Sequence, residues 1–325
     1  MSVLPPALSS HANDSSSDQI SPAELIARVP FLKASDGVKI TELKGGITNR
    51  NYKVESGGKA YVLRVNGEGS EMLGINRNVE YSSHLAAGRL GVAPEVLNFI
   101  QPEGYLLTRF IDGSRIGPEE MGEHYNIRRV ARKLRLYHRL APPVEGEFNV
   151  FRRVEYLAQV SGERNCKLPF DFAWIMAKMR SVEEALQKDP YERAPCHCDL
   201  LNLNFLDEHV AGEKRELRIL DWEYAGMGDV FFDLANFSHH RRFSDEQVRI
   251  LLEEYFSEVT TRAFARLKLM WPMSEIHEAM WGTMQTGISK LDEDFQAYAD
   301  LWFARMREGT TDPRWDQWLR EVAEK

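Results

Sequence analysis

Residues 197 to 204 read His-Cys-Asp-Leu-Leu-Asn-Leu-Asn, which sets a carboxylate, Asp199, five positions before an amide, Asn204. Phosphoryl transfer to a hydroxyl needs this pair of groups. A carboxylate must orient the attacking hydroxyl and accept its proton, while an oxygen ligand holds the Mg²⁺ that neutralises phosphate charge. On one tight loop, Asp199 and Asn204 can face opposite sides of a transferring group. Seventeen residues later the apolar run Leu217 to Leu220 ends in Asp221, followed by Trp222 and Glu223. An acid delivered at a strand end suits a second metal ligand. The spacing of the first motif is loose by itself, and a strand-end acid also serves as a turn cap. Only the order and separation of the three give them chemical meaning.

Other reactive side chains are better read as structure. Cys196 and Cys198 flank His197 and invite a zinc site, but a tetrahedral ion needs four ligands and no second pair lies nearby in sequence. Packing of small apolar thiols is the expectation. His138, near the end of a helical segment, reads as a packed or capping residue. His239 and His240 precede Arg241 and Arg242 and read as a solvated helix end rather than a metal site.

These groups need a scaffold, and the chain supplies two kinds. From Val38 to about Phe110, short alternating runs are broken by glycine. Lys39–Leu43 and Asn51–Glu55 read as strands around Gly45 and Gly46, and Gly57-Gly58 as a hairpin turn before the strand Ala60–Val65. A helix over Asn76–Leu90 and further strands ending in Tyr105–Phe110 complete this part. Beyond Asp112-Gly113 helical spacing dominates, in Glu119–Leu140, Phe172–Leu186, Asp245–Tyr255, Ile276–Lys290 and Glu293–Arg307. The expected fold is α+β, with a β-rich first lobe over 21–110 and a mainly helical second lobe over 111–325. Gly45-Gly46-Ile47-Thr48-Asn49 would bring backbone N–H groups to phosphate oxygens. Arg64, on the third strand, would reach phosphates bidentately, with Glu80 on the following helix as its partner.

Composition narrows the partners. The 325 residues carry 41 basic and 49 acidic side chains, a net charge of −8, which disfavours the polyanions of nucleic acids and membrane surfaces. No apolar run approaches the roughly 20 residues of a membrane-spanning helix. Residues 1–20 are polar and Ser-rich, lack the features of a signal peptide and are expected to be a disordered tail. Three cysteines make no disulfide framework, so a cytoplasmic location is expected.

The motifs together resemble those of the choline/ethanolamine kinases, within the wider aminoglycoside-phosphotransferase-like kinases of protein-kinase-like fold. LKGGITNRNY (43–52) resembles that family's nucleotide loop. YVLRVNGEGSEMLGINRNVE (61–80) resembles its strand-loop-helix segment, with Arg where protein kinases have Lys. HCDLLNLNFL (197–206) is similar to its catalytic loop and ILDWEYAGMGDVFFDLAN (219–236) to its metal-binding segment. The resemblance spans about Ile40 to Met306. It implies that Asp199 is the catalytic base, that Asn204 and Asp221 hold Mg²⁺, and that Glu223 is a further acid at the metal or the substrate. It implies that Gly46, Thr48, Asn49 and Arg64, with Glu80, serve the phosphates of ATP. Leu107, Arg109 and Ile111 would lie on the adenine-side connector.

Trp281, Met284, Ile288, Leu291, Phe295, Tyr298 and Trp302 recur at spacings of three and four, which alone describes a packed helix face. The resemblance moves some of them to a substrate wall made with Glu223, Tyr224 and Gln285. A quaternary ammonium has no N–H to donate, so aromatic faces and acids must recognise it. The family's second tryptophan is Met284 here, and a tyrosine of its pocket is Phe295. The expectation is transfer from ATP to choline or a related amino alcohol. Other alcohols (ethanolamine, thiamine, a sugar, an aminoglycoside) and a nucleotide-binding scaffold without turnover are the alternatives.

Overall fold

The computed structural model describes residues 20–32, 37–44, 49–67, 70–210 and 214–324. Of the expected tail only Ile20 is among them, and Gly45, Gly46, Ile47 and Thr48 lie outside them.

The first described helix, α1 (Pro22–Ala27), starts at a capping box: Ser21 Oγ accepts from the Glu24 N–H at 3.3 Å, and Glu24 accepts from the Ser21 N–H at 2.9 Å. Five antiparallel strands follow: β1 (Lys39–Leu43), β2 (Asn49–Ser56), β3 (Lys59–Asn66), β4 (Val96–Ile100) and β5 (Tyr105–Arg109), in spatial order β1-β2-β3-β5-β4. Gly57 and Gly58 turn the β2–β3 hairpin with φ of +57° and +73°, a region that costs glycine little. Along β3, Tyr61, Leu63 and Val65 bury one face against Leu25 and Ile26 of α1. Strand alternation therefore aims Arg64 the other way. Helix α2 (Arg77–Arg89) lies between β3 and β4 in sequence. Its cap, Asn76, accepts from the N–H groups of Asn78 and Val79, and the buried Glu80 stands in its first turn.

A three-residue strand, β6 (Gly113–Arg115), opens the second lobe. Then come α3 (Pro118–Met121), α4 (His124–Leu140), α5 (Val150–Glu163) and α6 (Phe172–Gln187). Four short strands carry the chemistry: β7 (Ala194–Cys196), β8 (Phe205–His209), β9 (Arg215–Ile219) and β10 (Gly226–Gly228), with β7 paired to β10 and β8 between β6 and β9. The chain closes with α7 (Val230–His239), α8 (Asp245–Phe256), α9 (Thr261–Ile288), α10 (Phe295–Thr310) and α11 (Trp315–Ala323). A small core joins α1 to the five-stranded sheet, and a larger one fills the helical lobe. Among the described residues no helix is long and apolar enough to cross a membrane.

Three helices differ from their periodicity. The run from Glu119 to Leu140 is two helices, because α3 ends at Gly122 and α4 starts afresh. The helix expected from Ile276 begins at Thr261, with Thr260 Oγ1 accepting from the Ala263 N–H at 3.0 Å, and continues through Pro272. Proline normally ends a helix. Here nearly every residue from Phe264 to Gln285 is buried, and packing on all sides overrides the break and erases the amphipathic signal. Helix α7 is buried along its whole length and gave no periodic pattern for the same reason.

Helices α9 and α10 meet closely at Gly282, where an added Cβ would lie 2.7 Å from Tyr298 Cδ1 and 3.2 Å from the Ala299 nitrogen. Gly282→Ala should destabilise the fold by about 1–3 kcal/mol through overpacking. Urea unfolding would check this, and an unchanged midpoint would show that Tyr298 moves aside without cost.

Candidate active site

The loop from His197 to Asn204 joins β7 to β8, and a single buried carboxylate sets its shape. Asp233, in the first turn of α7 and fully buried, accepts from the His197 N–H at 2.7 Å, from the Cys198 N–H at 2.8 Å and from His138 Nε2 at 2.9 Å. Burial opposes its ionisation, but these donors outweigh it and hold its pKa below the ordinary value. One turn on, Asn236 Oδ1 accepts from the Leu200 N–H at 2.5 Å. His138 is thus a packed, hydrogen-bonded residue, with Tyr255 on its other nitrogen. Cys196 and Cys198 are buried thiols, with the pKa of Cys196 pushed up to about 11 by burial.

His197 links the two candidate catalytic segments. Its Nε2 meets the Leu220 carbonyl at 2.8 Å and its Nδ1 accepts from the Asp199 N–H at 3.1 Å, which fixes the proton on Nε2. Burial lowers its pKa to about 4, and its ring lies edge-on to Trp222, which is fully buried. The β8–β9 ladder pairs Phe205 with Ile219, and the Leu220 N–H bonds to the Asn204 carbonyl at 2.8 Å. Asn204 and Asp221 are neighbours for this reason. Two residues of these segments, Cys198 (φ +67°) and Asp221 itself (φ +63°), sit in the left-handed region. Such strain persists only where surrounding contacts enforce it, as Asp233 does for the first.

Asn204 Nδ2 donates to the Asp199 carbonyl at 2.9 Å and reaches Asp199 Oδ2 at 3.3 Å, which turns its Oδ1 away from Asp199. Burial, then the negative charges of Glu278, Asp221 and Glu223, raise the Asp199 pKa well above the usual carboxylate value. An amide oxygen and a carboxylate on one side, with further acids near, are the hard oxygen donors that fit Mg²⁺.

Arg64 reaches this site from the first lobe. Its guanidinium bonds Asp221 Oδ1 at 2.7 Å and Glu223 Oε2 at 3.3 Å, and pairs with Glu80. Burial works against its charge, but Glu80, Asp221 and Glu223 outweigh it and raise its pKa. Glu223 Oε2 also accepts from Asn49 Nδ2 at 2.9 Å and Arg77 Nη1 at 3.1 Å. One oxygen of Glu223 is therefore spent on clasping β2, β3 and α2 to the second lobe. Arg77, which pairs with Glu80 at 2.7 Å, was not singled out from the sequence, where it is one charge among many at a helix start. On the connector, Leu107 is fully buried in the small core and Ile111 is also buried. Arg109 pairs with Glu208 of β8 at 2.5 Å, so its charge ties the two lobes together.

The aromatic set divides. Trp281 Nε1 donates to the Tyr224 hydroxyl at 3.0 Å, and its ring is 5.7 Å from Tyr298 and 5.9 Å from Phe295, edge to face. Arg153 lies 5.7 Å from the Tyr224 ring centroid and competes for one of its faces. Gln285 is buried one turn after Trp281. Met284 is fully buried in the large core. His239 and His240 correct the reading of a solvated helix end: they are buried, at the foot of this wall.

Glu278 was missed altogether. Buried on α9, it accepts from the Tyr298 hydroxyl at 2.7 Å and faces His240 Nε2 at 3.5 Å. Burial opposes its ionisation, but the His240 contact, the neighbouring imidazoles and Tyr298 outweigh it and lower its pKa. Of the charges that act on Asp199, Glu278 is the strongest. The signal was there: Glu278 stands one turn before Trp281 in the aromatic stripe.

The model of the choline/ethanolamine kinases matches residues 40–248. The chain belongs to that family. A solved choline/ethanolamine kinase family protein from Mesorhizobium loti shares 30% identity, with a TM-score of 0.78 over 92% of this chain and 96% of that one. Protein LicA of Haemophilus influenzae is 26% identical over 263 residues, 78% of this chain and 75% of the relative. Ethanolamine kinase 2 of the rat is 23% identical over 295 residues, 82% and 74% of the two chains. The fold is the bilobal, protein-kinase-like one expected, and the enzyme is a phosphotransferase acting on an alcohol. Replacing Asp233 tests the shape of the catalytic loop. Asp233→Ala leaves two buried N–H groups and His138 without an acceptor, and should cost about 3–5 kcal/mol of stability. Chemical denaturation measures this, and a loss below about 1 kcal/mol would remove Asp233 from the centre of the loop.

Proposed function

We propose that the enzyme transfers the γ-phosphoryl group of ATP to the hydroxyl of choline or a closely related amino alcohol. The observation that carries this reading is Glu278, a buried acid joined to Tyr298, beside Trp281 and electrostatically coupled to Asp199. An ammonium group set against the aromatic rings and Glu278 leaves a short arm ending in a hydroxyl, which Asp199 can meet. Each ring face attracts such a cation by about 0.5–2 kcal/mol.

Asp199 orients the hydroxyl and takes its proton as the oxygen bonds to the γ-phosphorus. The bond from that phosphorus to the β–γ bridging oxygen breaks, and the nucleoside diphosphate leaves. Mg²⁺, when bound, neutralises charge on the phosphates, and Asn204 and Asp221 are the residues that would hold it. Arg64, positioned by Glu80, faces the phosphates together with Asn49. Gly46 and Thr48, which precede Asn49 in the sequence and lie outside the described residues, are assigned to the phosphates by the family resemblance. Leu107, Arg109 and Ile111 mark the connector on the adenine side. A structural relative, LicA, has been solved in complex with AMP, which supports the nucleotide reading. The lobe boundaries at 21–110 and 111–325 follow from the same division of labour, and the buried thiols suit a reducing, cytoplasmic setting.

Two sets of kinetics test the reading. Asp199→Ala should lower kcat by about 100- to 10,000-fold with ATP binding retained, and near-wild-type turnover in the folded variant would end this mechanism. Trp281→Ala should weaken choline by about 1–2 kcal/mol in kcat/KM, roughly 5- to 30-fold, and Glu278→Gln, which removes the opposing charge, by more, up to about 4 kcal/mol. Ethanolamine should lose less with Trp281→Ala, because its N–H groups still bond to Glu278. If neither alcohol is phosphorylated by the wild type, the acceptor is of another class.

A further inference from the structure

Three side chains cluster at the foot of the acceptor wall, and phosphoryl transfer leaves the two histidines among them without a role. His239 and His240, at the C-terminal end of α7, and Glu278 on α9 each offer a ligand atom, all within 4.8 Å of one another. Burial, with cationic neighbours including Arg241 and Arg305, lowers the pKa of both histidines, against the pull of Glu278 on His240. Neutral imidazoles are the form that binds metal.

Two such clusters occur among the described residues, and their partners separate them. In the other, His138, Cys196 and Asp233, both imidazole nitrogens and both carboxylate oxygens already hold hydrogen bonds. In this one, His239 Nδ1 is buried without a hydrogen-bond partner, while its Nε2 meets Ser274 Oγ at 3.0 Å. A fixed bond on one ring nitrogen is how metal-binding histidines are oriented. His240 Nε2 is also buried, and its approach to Glu278 Oε1 is 3.5 Å. That is long for a hydrogen bond. It equals the edge of a tetrahedron of N and O ligands around zinc, about 3.3–3.5 Å.

We propose that His239, His240 and Glu278 form a site for a borderline-soft divalent ion of the zinc class, whose occupation excludes the cationic acceptor. The competition rests on the acceptor reading, since it requires the ammonium to use Glu278. The site itself does not. Two imidazoles and one carboxylate are a poor set for Mg²⁺, which prefers oxygen, and a good one for Zn²⁺ or Co²⁺. The nearby arginines weaken it toward any cation, which suits an exchangeable, inhibitory ion and not a structural one.

Cobalt supplies a readout independent of turnover. With Mg²⁺ in excess, titrating Co²⁺ into the full-length protein should give visible d–d bands saturating at one ion per chain, without thiolate charge transfer. His239→Gln, His240→Gln and Glu278→Gln should each weaken binding by at least about tenfold. Absent bands, a thiolate signature, or equal binding by all three variants overturns the site. Should a variant fail to fold, the wild type decides: X-ray absorption of the one-cobalt protein must show two imidazoles and no sulfur around the ion, and any other set of ligands overturns the site. In kinetics, Zn²⁺ should raise KM for the acceptor with kcat unchanged. A rise in KM for ATP instead would overturn the competition and place the ion at the phosphates. If amino alcohols prove not to be substrates, the acceptor reading fails while the cobalt result still decides the site.

Discussion

One buried guanidinium joins the halves of this molecule. Arg64 comes from the middle of an antiparallel sheet, and the three carboxylates around it come from α2, from the end of β9 and from the turn that follows. Burying a cation with so many acids would be costly if any member lacked its partner. Here Arg77 and Asn49 share the load at Glu223 and Glu80, so two guanidiniums and an amide face three carboxylates and the connected network keeps one negative charge in excess. A lysine in the same place would present a point charge, whereas the planar fork of arginine bonds two carboxylates at once. The geometry of Asp221, and through it of any ion it holds, is set by a residue 157 positions away in the chain.

The catalytic loop solves the same problem with the sign reversed. Asp233 is an anion in a dry interior, and it is satisfied by two backbone N–H groups and an imidazole. Those bonds hold Cys198 in a left-handed conformation that presents Asp199. The two networks meet where His197 bridges Asp199 and Leu220. Asp199, Asn204 and Asp221 therefore stand together through backbone contacts, with no direct bond between the two acids required.

Much of this was legible in the chain, and the reasons are physical. Asp199, Asn204 and Asp221 sit on short loops where spacing along the sequence becomes distance in space. Arg64 could be placed because strand alternation leaves only two faces. Helices α2, α6 and α8 could be placed because each is half exposed, with the caps Asn76 and Ser244 marking two of the starts. Reading failed where burial is complete, and it also passed over the half-exposed helices α5 and α11. Helix α7 and the first half of α9 have no polar face to reveal a period, so the convergence of His239 and His240 with Glu278 could not be seen. Glu223 was recognised as part of the site, but its commitment to Asn49, Arg64 and Arg77 depends on contacts with residues 174, 159 and 146 positions away. Met284, which stood out as a departure in the substrate wall, is a core residue, and its position in the stripe concealed that.

On the proposed amino-alcohol reading, selection by charge has a consequence for this pocket. At an effective dielectric constant near 20, a carboxylate about 4 Å from an ammonium gains about 4 kcal/mol, and the rings around Tyr298 add a smaller, shape-dependent share. A neutral sugar gains neither, and would leave Glu278 buried opposite a group with no charge. The carboxylate does not distinguish an ammonium from another cation of suitable size, however. Discrimination has to come from the ligands on its other side. Aromatic faces on one flank favour methylated nitrogen, while the imidazoles on the other favour a metal with affinity for nitrogen. Glu278 stands between the two flanks, so whatever occupies one of them is linked to the other through a single carboxylate.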